Sequence, residues 1–219
     1  MDYRKGEWVA FVDSDDFISN DYLYKLYQSV TNKHNKSPFE LQLSYCKVNM
    51  FSCDDNITYT PLCWCNSDKI ASLQAYIAST WTVCWGMIIH HSLLSDLRFS
   101  EDIKCFEDFS FCAKLFHQTA KITAIHEPLY NYRRGNQDSL SYHIDSEKGY
   151  SELLAYLDVI RYFEEKGELS HYEKQMSWRI LKAKQDWILD LATHKKSYRL
   201  IRLAEIIFGR AQIRMWALS

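Results

Sequence analysis

The chain has 219 residues, of which 47% are hydrophobic, 15% aromatic and 25% charged. This composition excludes collagen-like, mucin-like and disordered proteins, and the length fits one domain, or one domain with an appendage. The net charge of −2 argues against a nucleic-acid partner, although residues 178–219 hold nine Lys or Arg against three Asp or Glu. No window of the sequence has the roughly 18 to 20 apolar residues that a membrane-spanning helix needs.

The N-terminal third alternates between strand and helix patterns. The apolar run Trp8–Val12 predicts a buried strand, and the acidic segment Asp13–Asp16 follows it directly. Ser19 can cap a helix, because apolar residues recur after it at helical spacing. The residues predicted to face inward on this helix are Leu23, Leu26, Tyr27 and Val30. A strand is expected over 41–50, then a loop over 51–66 with a short strand at 57–60.

The middle third continues the alternation. Ser67 is a candidate cap for a helix through Ala78, and 83–89 is predicted to be a buried strand. The inward residues predicted for this helix are Ile70, Leu73 and Ile77. Helical spacing returns over 107–118, and two strands are expected at 121–125 and 129–132, separated by Pro128.

From about Asp145 onward the pattern is helical, with breaks near Gly167 and His194. Strands that alternate with helices predict an α/β sheet layered by helices. We therefore predict a domain over residues 1–144, followed by an all-helical extension over residues 145–219.

The seven cysteines are an odd number, and Cys63 and Cys65 lack the two-residue gap and second pair of a zinc site. A chain of this length buries enough surface to fold without disulfides. We therefore expect reduced thiols in a cytoplasmic protein.

Three carboxylates follow the first predicted strand within four positions. Such charges repel one another, and a divalent cation such as Mn²⁺ or Mg²⁺, which prefers oxygen ligands, would offset that repulsion. If the segment is extended, alternation puts Asp13 and Asp15 on one side. The alternative is a solvated acidic turn in which Asp16 or Ser14 caps the next helix.

Four segments, in this order, resemble the family 2 glycosyltransferases of the GT-A fold. The resemblance covers roughly residues 4–142 and implies a partial GT-A-like mixed sheet. The segments are Gly6–Ile18 with the Asp13-Ser14-Asp15 motif, Trp85 with Met87–Ile89 and Ser92–Leu94, Arg98-Phe99 with Glu107–Phe111, and Pro128–Arg133 followed by Ser139.

The resemblance implies an inverting, metal-dependent transfer of a sugar from a nucleotide-diphosphate-sugar donor. The acceptor would be a glycan or a lipid-linked glycan in bacterial surface polysaccharide biosynthesis. It implies that Asp15 binds the metal ion and that Asp13 contacts the metal or the donor ribose. Arg133 would contact the diphosphate, and His143 is a further candidate metal ligand.

The resemblance also gives a role to the pair Glu107 and Asp108. Asp108 would be the catalytic base for the attacking hydroxyl, and Glu107 would orient the acceptor. The alternative is that these acids only stabilise a helix N-terminus through the helix dipole.

The chain departs from the family at its start. Family members begin with strands that hold the nucleotide base and ribose, and no such segment precedes Arg4. We therefore expect a longer protein, a partner chain that supplies the missing half, or a non-catalytic remnant. A further alternative is a haloacid dehalogenase-like phosphohydrolase with Asp13 phosphorylated and Asp15 as the acid, which Phe17 fits poorly.

Residues 198–217 form an amphipathic pattern in which four arginines lie opposite an apolar stripe. The arginines are Arg199, Arg202, Arg210 and Arg214. Basic amphipathic helices bind anionic lipids, so this segment predicts peripheral contact with the inner face of the membrane. The alternative is that its apolar stripe packs on the domain.

Overall fold

The computed structural model describes residues 5–31, 41–51, 56–59, 69–79, 82–119, 121–134 and 146–183, together with Arg202 and Ile206. The fold is mixed α/β, as predicted. The strands are β1 Trp8–Ala10, β2 Phe17–Ile18, β3 Leu41–Phe51, β4 Asn56–Tyr59, β5 Met87–His90 and β6 Lys121–Arg133. The helices are α1 Tyr22–Thr31, α2 Lys69–Ala78, α3 Glu107–Gln118, α4 Ser146–Glu165 and α5 Leu169–Ala183, and a short 3-10 helix spans His91–Leu94.

The six described strands form one sheet in the order β1-β5-β3-β6-β2, and β4 pairs with β3. Among the described pairings, that of β3 with β6 alone is parallel, and it runs from the pair Leu41 and Lys121 to the pair Phe51 and Arg133. The other described pairings are antiparallel. A mixed sheet of this kind has two long central strands with short strands at its ends.

β6 corrects the prediction of two strands separated by Pro128. It is continuous from Lys121 to Arg133, and its register against β3 shifts next to Pro128. A proline has no N–H to donate, and a bulge needs none from it. The proline therefore marks an irregularity in the strand and does not end it.

The chain divides into two compact units. The first comprises residues 1–72, 83–98 and 115–138, and the second comprises 73–82, 99–114 and 139–219. The first unit contains the sheet and α1, while the second contains the beginning of α3 with α4 and α5. The functional division at residue 144 stays a prediction.

Helix α1 buries only part of the predicted stripe: Leu26 and Val30 are confirmed as inward residues, and Tyr22 joins them. Tyr22, Leu26 and Val30 are buried, whereas Leu23 is 55% exposed and Tyr27 is 47% exposed. The Tyr22 hydroxyl donates to the Met87 carbonyl oxygen over 3.2 Å, which draws this stripe toward the sheet. The predicted inward positions Leu23 and Tyr27 are therefore wrong.

Two neighbouring predictions also change. α1 begins at Tyr22, three residues after the predicted cap Ser19. The Ser19 carbonyl oxygen accepts from the Tyr22 N–H over 3.0 Å, and the Ser19 N–H donates to the Leu129 carbonyl oxygen over 2.9 Å. In α2, Leu73 and Ile77 are buried as predicted, but Ile70 is 38% exposed. The strand predicted over 83–89 is regular only from Met87, because Gly86 has a φ of 74° that breaks extended geometry.

Other predictions are confirmed. α3 has the predicted bounds, β3 and β4 match the expected strands within one residue, and α4 and α5 are separated at Gly167, whose φ is 69°. The predicted cap Ser67 and the predicted break near His194 lie outside the described residues.

The burial of α1 makes a direct prediction. Leu26→Ala should lower the free energy of unfolding by about 2–5 kcal/mol, because it leaves a cavity where Leu26 is fully buried. Leu23→Ala, the matched substitution on the exposed side, should change it by no more than about 0.5 kcal/mol. Urea unfolding followed by circular dichroism measures both. Equal losses in the two variants would contradict the orientation of α1.

Candidate functional site

The acidic segment between β1 and β2 is a tight turn. The Asp16 N–H donates to the Asp13 carbonyl oxygen over 3.1 Å, so residues 13–16 form a single hydrogen-bonded turn. Asp and Ser suit such turns because their side chains tolerate the geometry and bond to the local backbone. The segment is not extended, so alternation is no longer a reason to place Asp13 and Asp15 on one side.

Asp16 attaches this turn to β6. The Tyr130 hydroxyl accepts from the Asp13 N–H over 3.1 Å and donates to Asp16 Oδ2 over 2.8 Å. The Arg133 N–H donates to Asp16 Oδ1 over 2.8 Å. Both carboxylate oxygens of Asp16 are therefore engaged by β6, and Asp16 does not cap α1.

The surroundings of Asp16 and Tyr130 perturb both groups. Partial burial raises the pKa of Asp16, and repulsion from Asp15 adds to this, while the hydrogen bonds from Arg133 and Tyr130 oppose it. Burial also raises the pKa of Tyr130, as do the carboxylates of Asp16 and Asp13. Tyr130 therefore keeps its proton at neutral pH and stays a donor to Asp16.

Arg133 reaches the same turn with its side chain. Its Nε donates to the Asp15 carbonyl oxygen over 3.0 Å, and its guanidinium lies 5.3 Å from the centroid of the Phe51 ring. The structure thus places the Arg133 side chain against the turn that carries Asp13 and Asp15. Whether these residues bind a diphosphate with a cation stays a prediction.

Trp85 supports the turn from the interior. Its ring stacks on Tyr130 at a centroid distance of 4.5 Å and on Tyr132 at 5.1 Å. Trp85 is 4% exposed, so its side chain belongs to the core. Stacked aromatic rings add to the stability gained by burial. The stack fixes the Tyr130 ring, and with it the hydroxyl that bonds to Asp13 and Asp16.

Glu107 and Asp108 form the first turn of α3, within the second unit. The residue before them, Phe106, has a φ of 66°, and its carbonyl oxygen accepts from the N–H groups of Phe109 and Ser110 over 3.2 and 3.4 Å. Acids in the first turn are favoured by the positive end of the helix dipole. The catalytic roles of Glu107 and Asp108 stay predictions.

Of the three carboxylates in the acidic turn, Asp13 and Asp15 are the ones left to bind the predicted metal ion. Asp13 is exposed and Asp15 is half-buried, and their carboxylates have the oxygen donors that Mn²⁺ and Mg²⁺ accept. Asp16 has both oxygens committed to β6. In the part of the chain that the structure describes, no group of three or more His, Cys, Asp or Glu could hold a metal ion. His143 lies outside that part.

Residues 198–217, predicted to contact the membrane, lie outside the described residues, except for Arg202 and Ile206, which are exposed. None of the described helices is long and apolar enough to cross a membrane.

Two residues of this site are not among those that the sequence predicts. Tyr130 lies within the segment Pro128–Arg133, in which the resemblance assigns a ligand contact only to Arg133, and the only individual role that the sequence suggests for Asp16 is that of a helix cap. One sequence signal does point to Tyr130. It alternates with Tyr132 in a strand, so both rings share one face of the sheet.

No protein-family model and no curated protein matches the sequence. Among solved structures, the chain is similar to S. aureus TarS, a glycosyltransferase, with a TM-score of 0.51 and 17% sequence identity. The match covers 80% of this chain and 29% of the TarS chain. The likeness therefore concerns the fold, which is glycosyltransferase-like and consistent with the predicted partial GT-A architecture.

The contacts of Tyr130 can be tested by removing one atom. Tyr130→Phe should lower the free energy of unfolding by about 1–3 kcal/mol, because Asp16 Oδ2 loses its donor and the Asp13 N–H loses its acceptor. The ring remains, so stacking on Trp85 is retained. Tyr27→Phe is the matched control, since Tyr27 is exposed. Thermal unfolding compares the two, and identical midpoints would show that the Tyr130 hydroxyl does not hold the turn.

Proposed function

We propose that this chain is part of a family 2 glycosyltransferase that transfers a sugar from a nucleotide-diphosphate-sugar donor to a glycan or lipid-linked acceptor, with inversion. The observation that carries this proposal is the turn at the end of β1, where Asp13, Asp15 and Arg133 lie together. The glycosyltransferase-like fold supports it. Surface polysaccharide assembly in bacteria is the setting that the sequence resemblance suggests.

The donor diphosphate would bind at this turn. Asp15 and Asp13 would hold Mn²⁺ or Mg²⁺, which neutralises the charge that develops on the leaving diphosphate. Arg133 is fastened to the Asp15 carbonyl oxygen and adds a cation next to the same turn. The carboxylate of Asp16 would hold the turn in place, since both of its oxygens bond to β6.

The acceptor hydroxyl needs a base. We assign Asp108 to this role and assign Glu107 to orienting the acceptor. Both stand in the first turn of α3, where the positive end of the helix dipole favours the ionised carboxylate that a base requires. A carboxylate suits this task because it needs only hydrogen-bond reach to the hydroxyl.

The outer edge of β1 supports a second candidate, a half of a split enzyme. β1 ends the described sheet, and the His91 N–H donates to the Glu7 carbonyl oxygen over 2.8 Å. In antiparallel pairing, this directs the backbone groups of Trp8 and Ala10 away from β5. Such an edge can pair with a further strand. That strand would come from a longer chain or a partner chain, which would also bind the nucleotide base and ribose.

We further propose that residues 198–217 contact the inner face of the membrane.

Metal-dependent binding tests the proposed donor site. With Mn²⁺ present, UDP or GDP should bind the wild-type chain, and Asp15→Asn should weaken that binding by about tenfold or more, because one metal ligand is lost. Isothermal titration calorimetry measures the affinity, and Asp96→Asn, an exposed acid elsewhere in the first unit, is the matched control.

Unchanged binding in Asp15→Asn would show that the metal site is wrongly assigned. If the wild type released phosphate from small phosphate esters and bound neither nucleotide, the phosphohydrolase would be the better interpretation. If it did neither, a remnant or a split half would be favoured.

The assigned base predicts a different pattern. Asp108→Asn should lower kcat for sugar transfer by about 10²–10⁴-fold, because an amide cannot accept the acceptor proton. Nucleotide affinity should stay at the wild-type value. Release of UDP or GDP from UDP- and GDP-sugars in the presence of acceptor glycans measures transfer. Full activity in Asp108→Asn would remove this residue from the mechanism, and a parallel loss of nucleotide binding would point to a folding defect.

A further inference from the structure

The turn that leads into Glu107 and Asp108 is strained. Phe106 adopts a φ of 66°, which a residue with a large side chain rarely does. The N–H groups of Lys104 and Cys105 both donate to the Ser151 hydroxyl oxygen of α4, over 2.8 and 3.0 Å. Such backbone strain persists only where surrounding contacts impose it. The Ser151 side chain of α4 therefore helps to hold this turn in its conformation.

The first turn of α3 is held by a tyrosine from α2. The Tyr76 hydroxyl lies 3.4 Å from the carbonyl oxygen of Asp108 and 3.3 Å from that of Phe109, and these two acceptors share its single proton. Its ring also stacks on the ring of Phe109, which is completely buried. These contacts fix the backbone that carries Asp108.

Arg179 of α5 completes this arrangement. It is 7% exposed, and its guanidinium lies 4.1 Å from the Phe109 ring centroid and 5.3 Å from that of Tyr156. Its Nη1 donates to the carbonyl oxygens of Ile77, over 3.2 Å, and Ser79. The attraction between a cation and an aromatic face is stronger when both are desolvated. One side chain thus joins the end of α2, the first turn of α3 and α4.

The chemistry of this contact is specific to arginine. Its planar guanidinium can stack on rings while its edge donates to carbonyl oxygens, which a lysine ammonium cannot do at the same time. The residue on which it stacks, Phe109, directly follows Asp108. A small shift of Phe109 would therefore move the carboxylate beside it.

We propose that Arg179 is a positioning residue for Glu107 and Asp108, and that it acts through Phe109 without contacting the substrate. This inference rests on the proposed function, since it assumes that Asp108 is the base. It assigns the helical region a part in the transfer reaction.

The first test needs no substrate. Arg179→Met keeps an apolar stem and removes the guanidinium, and hydrogen–deuterium exchange with mass spectrometry reports on peptides that cover residues 104–112. Exchange there should become about tenfold faster, while peptides of β6 keep wild-type rates. Lys174→Met, the same kind of change at an exposed position of α5, should have no effect. Unchanged exchange over 104–112 in a folded Arg179→Met variant would overturn the proposal.

The second test separates positioning from general stability. Arg179→Met should lower kcat for sugar transfer by about 10²-fold, because misplaced reacting groups cost about that much. The affinity for UDP with Mn²⁺ should be unchanged, and Arg179→Lys should not restore kcat. Wild-type kcat in Arg179→Met, or full rescue by lysine, would overturn the proposal.

Two further results, an inactive wild type and an Arg179→Met variant that does not fold, have their own interpretation. If the wild type transfers no sugar, this chain alone is not the active transferase, and the exchange experiment alone decides whether Arg179 holds the first turn of α3. If Arg179→Met does not fold, Arg179→Lys and Tyr76→Phe replace it in both measurements. Tyr76→Phe removes only the hydroxyl at the Asp108 and Phe109 carbonyl oxygens, so faster exchange over 104–112 supports the proposal and unchanged exchange in both variants overturns it.

Discussion

The parallel pairing of β3 with β6 is the constraint on which the first unit depends. It runs the full length of both strands, and its register shift at Pro128 decides which residues of β6 meet which neighbours. Beyond that shift, Tyr130 and Tyr132 share one face and stack against Trp85. The strand ends at Arg133, whose N–H reaches Asp16. A different register would turn the Tyr130 hydroxyl to the opposite face of the sheet and separate β6 from the acidic turn.

The acidic turn divides its three carboxylates between structure and proposed chemistry. Asp16 is partly buried and bonded through both oxygens, and the pKa of its carboxyl is raised because burial penalises the charge. Asp13 is exposed, and the backbone carbonyl oxygen of Asp15 accepts a hydrogen bond from Arg133 Nε. A cluster of like charges is tolerated here because the fold uses one member as an anchor. The other two are the members to which we assign the cation and the donor.

The helices α4 and α5 belong to the same compact unit as the proposed catalytic acids. The second unit contains the first turn of α3, so the carboxylates of Glu107 and Asp108 share a compact unit with α4 and α5. The Tyr76 hydroxyl contacts the Asp108 carbonyl oxygen itself. Ser151 bonds to the backbone just before the pair, and Arg179 lies over the ring of Phe109 just after it, so contacts from three different helices surround this turn. The strain at Phe106 and the buried guanidinium both cost free energy, and tertiary contacts offset that cost.

Local spacing predicts most of the helices and strands in their order, the bounds of α3 and the position of the acidic segment after β1, because each of these depends on residues a few positions apart. It does not predict the short strand β2. Which stripe of α1 is buried depends on tertiary packing, because both Leu23 and Tyr22 begin apolar stripes and the sheet selects one. Tertiary packing also decided that β6 continues through Pro128, since the bulge forms against β3. The anchoring of Asp16 by Tyr130 joins residues 114 positions apart. No local pattern encodes such a contact, because it exists only after the sheet has brought the two strands together.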